Sequence, residues 1–120
     1  MMTPNRWIQG AALSMTIAVA LGALGAHFLE ARLEEHGTTG IWKTAVLYQM
    51  VHGLALLALA LGDRLSKSTA WCFSVGTLCF SGSLYSLSLG APGMVFGPIT
   101  PIGGILFLGG WLCLVFKKPQ

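Results

Sequence analysis

The side chains able to carry chemistry in this chain are few, and they fall inside apolar runs. Tyr48, Gln49 and His52 lie three and four residues apart within the stretch Trp42 to Gly62, a spacing that gathers them on one helical face. A second stretch, Ala70 to Leu89, carries Ser74, Thr77, Ser81, Tyr85 and Ser88 at the same spacings, which makes a stripe of hydroxyls. His27 closes another run near the N-terminus. Two chemistries suit such groups in hydrocarbon. One is interhelical hydrogen bonding, worth ~0.6 to 2 kcal/mol per bond. The other is a pathway for a proton or small solute past His52 and Tyr85, which requires water to reach the imidazole from outside. A metal centre from His27, His36 and His52 is disfavoured: no two histidines have ligand spacing on one helix, and no carboxylate falls inside an apolar run. No nucleophile with its base, phosphate loop or haem motif is present, so neither an enzyme activity nor a cofactor is expected.

The surroundings follow from composition. Of 120 residues, 54% are hydrophobic and 9% charged, with a mean hydropathy of +0.72. A water-soluble domain of this size could not cover so much apolar surface, so lipid must serve as the solvent. Four helices of ~20 residues with short connections fill the length, and no soluble domain fits beside them. The formal charge of +3 comes from basic residues scattered singly or in pairs beside the apolar runs. They read as topology signals, not as a nucleic-acid surface. Cys72, Cys79 and Cys113 lie in or beside apolar runs; Cys72 and Cys79 are separated by about 10 Å along one helix, too far for a disulfide.

The fold class expected is all-α, a bundle of four transmembrane helices in a single domain, with spans at about 7–28, 42–62, 70–89 and 99–116. Arg6 ahead of the first run, with Ala18-Val19-Ala20 behind it, resembles a secretory signal, but the run continues past that point and is read as a span. The segment Leu29 to His36 is expected either as a short amphipathic helix on the outer surface or as a solvated continuation of the first span ended by Gly37. Gly90 to Pro98 reads as a turn, after which Pro101 suits the first turn of the last helix. With the N-terminus inside, Arg6, Arg64, Lys67, Lys117 and Lys118 face the cytoplasm against Arg32 and Lys43 outside, so both termini are expected there. Trp7, Trp42 and Trp71 fall at span starts, at headgroup level; Trp111 lies off that belt and is expected to face a neighbour or lipid.

Depth brings the polar residues together. At 1.5 Å per residue, Gln49 and His52 lie about 10 and 15 Å below the outer surface, while Ser81 and Tyr85 lie about 15 and 21 Å above the inner one. A buried cluster of His27, Tyr48, Gln49, His52, Ser81 and Tyr85 in the outer half of the bilayer is the expectation. Close helix packing is expected at the small residues Gly22, Gly25, Gly82, Ser86, Gly103 and Gly104. The small faces on both sides of the third span suggest a homo-oligomer or a membrane-protein partner within the lipid bilayer.

Four segments carry a family resemblance: Gly25-Ala26-His27, Thr44 to Leu59 (TAVLYQMVHGLALLAL), Phe80 to Leu89 (FSGSLYSLSL) and Gly97 to Gly104 (GPITPIGG). In these the chain resembles the YgdD/YwdK-type family of small inner-membrane proteins, domain of unknown function 423. The resemblance spans all four runs in order. It implies a four-helix topology in the bacterial cell (inner) membrane and supplies no catalytic residue. The expected role is a structural or accessory membrane protein, with a minimal oligomeric transporter or channel around His52 as the alternative.

Overall fold

A computed structural model describes residues 4–117. Six helices follow in order: α1 (Pro4–Ala26), α2 (Glu30–His36), α3 (Thr39–Leu61), α4 (Lys67–Ser88), α5 (Gly93–Phe96) and α6 (Ile99–Val115). No strand occurs among the described residues. The molecule measures 51 × 27 × 22 Å. Three apolar stretches, Asn5–Ala26, Thr39–Leu61 and Gly93–Val115, are long and apolar enough to cross a membrane. α4 matches them in length but is more polar, because serines and threonines recur along it.

The outward faces of the long helices are hydrocarbon. Leu13, Val19, Leu47, Leu54, Leu78 and Ile105 are all exposed, the arrangement expected when acyl chains rather than water cover the surface. The interior is lined by small and aromatic side chains: Ala11 and Ala70 cluster with Leu56, Phe73 and Phe107, and Ala18 and Ala45 are buried as well. Packing runs α1 on α3, α3 on α4, and α4 on α6, with α3 and α4 as the central pair.

Each connection has a local cause. Asp63 adopts φ 55° after α3, and the Arg64 amide reaches back to Leu59 O at 2.9 Å, so α3 ends in a left-handed turn. Ser66 caps α4 by accepting from the Thr69 amide at 3.1 Å. The segment after the first span is a separate helix, α2, which buries Leu33 and ends at Gly37, φ 67°. It is tied to the far end of α4: Arg32 Nη2 donates to Leu89 O at 3.0 Å, and Thr38 Oγ1 donates to Ser88 O at 3.0 Å. These bonds satisfy carbonyls that the end of α4 leaves without helical partners, and the guanidinium suits the negative end of its dipole.

One local expectation is corrected: the turn before α6 contains a helical turn of its own, α5, which starts after Pro92. Trp42, in the first turn of α3, is 3% exposed. Its Nε1 donates to Leu21 O at 2.9 Å across the α1–α3 contact, and a Cβ on Gly25 would collide with its indole.

Candidate functional site

The buried face of α3 carries Trp42, Ala45, Gln49, His52, Gly53, Leu56 and Ala60. Gln49 and His52, one helical turn apart, point into two different surroundings.

Gln49 faces α1 and α4. Its Nε2 donates to Ser14 O at 2.9 Å, with Ser14 Oγ at 3.4 Å, and its Oε1 accepts from the Tyr85 hydroxyl at 2.7 Å. One amide thus joins three helices. Tyr85 also meets Trp42 edge to face at 4.8 Å. Ser81, one turn before Tyr85, donates to Ala45 O at 2.7 Å and adds a second α3–α4 tie. Beside this chain α1 and α4 stay apart over α3, leaving a groove of about 530 Å³ lined almost entirely by carbon, with Gln49, Ser14, Ser81 and Tyr85 along its floor.

His52 faces α4 and α6. Its Nδ1 lies 2.8 Å from Tyr48 O, and its Nε2 lies 3.0 Å from Trp111 Nε1. A carbonyl only accepts and an indole N–H only donates, so the two partners dictate the tautomer: the proton is on Nδ1 and the lone pair on Nε2. The ring stacks on Phe107 with centroids 3.6 Å apart and planes at 8°, and Phe73 meets it edge-on at 5.0 Å. His52 is 3% exposed, enclosed by aromatic rings with both nitrogens engaged. A second proton would set an Nε2–H against the Trp111 N–H.

The six residues expected as one cluster therefore divide. Gln49, Ser81 and Tyr85 share the α1–α3–α4 side. His52 belongs to the α6 side with Tyr48, which is 39% exposed and lies 4.5 Å from Phe80 with the rings tilted at 35°. His27 stands apart, exposed in the turn after α1. Sequence reasoning missed Trp111 and Ser14. Ser14 lies in a run read only as a span, and Trp111 offers no polar periodicity on α6; its place off the aromatic belt left a neighbour or lipid open, and the neighbour is His52.

Apart from Ser81 and Tyr85, which donate to α3, the stripe hydroxyls of α4 and that of Ser86 turn inward on their own backbone. Ser74, Thr77, Ser86 and Ser88 each donate to the carbonyl four residues back, at 2.7–2.9 Å. Ser83 meets Thr100 of α6 at 2.5 Å. A hydroxyl whose proton is satisfied in this way costs little in lipid.

Tight packing is concentrated between α4 and α6. A Cβ at Gly103 would strike the backbone of Phe80, one at Gly76 would lie 2.7 Å from Phe107, and one at Gly110 would lie 2.5 Å from Phe73. Of the other small residues singled out from sequence, Gly22 would give an ordinary 3.4 Å contact with Val46, Gly104 a loose 3.9 Å contact with Phe80, and Gly82 meets nothing within 4 Å. Ser86 is half-buried. Among the described residues, no three His, Cys, Asp or Glu side chains converge as metal ligands would; Cys72, Cys79 and Cys113 are free thiols.

Residues 21–104 match the family described as protein of unknown function (DUF423). A UPF0382 membrane protein of Staphylococcus epidermidis is 45% identical over 108 residues, covering 87% of each chain. The UPF0382 membrane protein YwdK of Bacillus subtilis is 39% identical over 110 residues, 87% of this chain and 88% of that one. A UPF0382 membrane protein of Schizosaccharomyces pombe is 38% identical over 111 residues, 88% of this chain and 94% of its own. No solved structure matches.

Proposed function

The chain belongs to the DUF423 family of UPF0382 membrane proteins, and on that premise we propose that it is a four-span structural or accessory protein of a bacterial inner membrane, non-enzymatic, with both termini in the cytoplasm. The fourth span is α4. Its 22 residues reach ~33 Å, it lies between α3 and α6, and its hydroxyls are satisfied internally, which removes most of the cost of placing them in hydrocarbon. Three connections then alternate sides. Arg6, Arg64, Lys67 and Lys117 fall at one end, against Arg32 and Lys43 at the other, where Glu30, Glu34 and Glu35 also lie. The basic end is cytoplasmic by the positive-inside rule.

The observation that carries the accessory reading is the state of His52. A relay or solute site needs a nitrogen that can exchange its partner for water or cargo, and here Tyr48 O, Trp111 and the Phe107 ring occupy every approach. The polar side chains link helices to one another, and the broad apolar exterior is left for lipid and for a membrane partner. All four carboxylates, Glu30, Glu34, Glu35 and Asp63, lie outside the apolar spans, which leaves no acid–base pair within the bundle.

Purified protein in liposomes loaded with a pH-sensitive dye tests this. We expect proton and small-solute leakage equal to that of protein-free vesicles, and His52→Leu leaves it unchanged while lowering the unfolding temperature. A flux that His52→Leu abolishes in a folded protein would sink the accessory reading. Reporter fusions at each terminus and within α2 check the orientation: cytoplasmic signals from both termini and an external one from α2.

A further inference from the structure

The groove between α1 and α4 has a shape, a lining and a charged end that together select one kind of occupant. We propose that it seats one acyl chain of an anionic phospholipid, with the headgroup at the end marked by Trp7 and Trp71.

Size comes first. The groove runs along α1 from Trp7 to Leu21, fourteen steps or ~21 Å, and its 530 Å³ has room for a file of methylenes whose neighbours stand off at about 4 Å. An elongated, laterally open groove of that length suits one hydrocarbon chain.

The lining agrees. Gly10, Leu13 and Ile17 form one wall, and Leu78 and Gly82 the other. The polar floor is already engaged in the Gln49–Tyr85, Gln49–Ser14 and Ser81–Ala45 bonds. An occupant therefore needs no polar group along its length.

The end selects the headgroup. Trp7 and Trp71 meet edge to face at 5.4 Å, and among the described residues neither indole N–H has a protein partner. An indole at that level donates to an ester carbonyl or a phosphate oxygen. Arg6 precedes Trp7, Lys67 lies one helical turn before Trp71, and Arg64 and Lys117, joined by a Lys117 Nζ to Arg64 O bond, belong to the same end. Asp63 is the single acid there, whereas the opposite end sets Glu30, Glu34 and Glu35 against Arg32 and Lys43. A negatively charged headgroup is attracted to the first end and gains no such attraction at the second. This goes beyond the accessory reading; it needs the helices to lie in a bilayer, but not a particular side to be cytoplasmic.

Native mass spectrometry tests it. The full chain is reconstituted in nanodiscs of equal phosphatidylglycerol and phosphatidylcholine, released into detergent and weighed. One phosphatidylglycerol per chain is expected to remain, favoured over phosphatidylcholine by roughly fivefold or more. Gly82→Leu, which directs its side chain into open space in the groove, abolishes the adduct. Lys67→Gln combined with Trp71→Phe keeps a lipid but brings the preference close to parity. Circular dichroism establishes that each variant is folded; should Gly82→Leu not fold, Gly10→Leu, equally unobstructed, takes its place. Equal retention of both lipids, retention of neither, an adduct undiminished in the folded leucine variant, or a mass of two chains joined through this groove overturns the proposal.

Discussion

The two sides of the α3–α4 pair solve the same problem in opposite ways. Toward α6 the surface is dense: glycines at 76, 103 and 110 let aromatic rings and backbone approach within contact, and His52 fills the space between them. Toward α1 the packing is uneven: Gly25 and Gly53 close on Trp42 and Met15, but between α1 and α4 Gly10 and Gly82 meet nothing, and a chain of hydrogen bonds from Ser14 through Gln49 to Tyr85 crosses the floor of an open groove. Hydrophobicity does not drive association where the solvent is itself hydrocarbon, so the dense side must be held by close van der Waals contact. The groove is bridged at discrete polar points and leaves lateral room. A glycine in a membrane helix is thus not a packing site by type alone. What decides is whether another backbone lies opposite.

Breaking the dense side gives the largest effect. Gly103→Leu places a side chain against the Phe80 backbone, which cannot swing aside; thermal unfolding in detergent is expected to show a loss of ~3 kcal/mol or failure to accumulate. An intermediate effect comes from the two polar residues of α3. His52→Leu leaves the Trp111 N–H without an acceptor in apolar surroundings and removes the stack on Phe107, for about 2 kcal/mol. Gln49→Leu beside the open groove costs about 1 kcal/mol, since Tyr85 can turn toward water or lipid ester there. A double-mutant cycle of His52→Leu with Trp111→Phe gives a coupling of ~0.6 to 2 kcal/mol, and zero coupling would show that the bond contributes nothing. The smallest effect is at Gly82→Ala, which fills no occupied space and raises helix propensity, for a gain of ~0.5 kcal/mol. A loss comparable to that at Gly103 would mean that the groove is closed.

Much of this was legible in the sequence. Hydropathy marked the apolar helices, and spacing placed Gln49 and His52 on the buried face of α3. The pairing of Gln49 with Tyr85 follows from helix depth, because few other partners exist at that level. The division between Gln49 and His52 was not legible. At three residues apart they differ by about 60° around the helix, enough to face different neighbours, and only the packing order decides which. Trp111 escaped because α6 is apolar on all sides, so no periodicity marks the face that meets His52. The glycines misled for the same reason. α4 has small residues around its whole circumference, and sequence cannot tell Gly76, which faces Phe107, from Gly82, which faces the groove.

The outer latch bears on how the chain is built. Arg32 and Thr38 are bonded to carbonyls 57 and 50 residues further along, Leu89 O and Ser88 O. During synthesis, the hairpin of α1 and α3 is complete at Leu61 and waits for the whole of α4 before the latch can close. Bonds so distant along the chain form late. The collar of α2 becomes fixed only when α4 has been made and docked, so an unlatched collar marks a chain whose α4 is not yet in place.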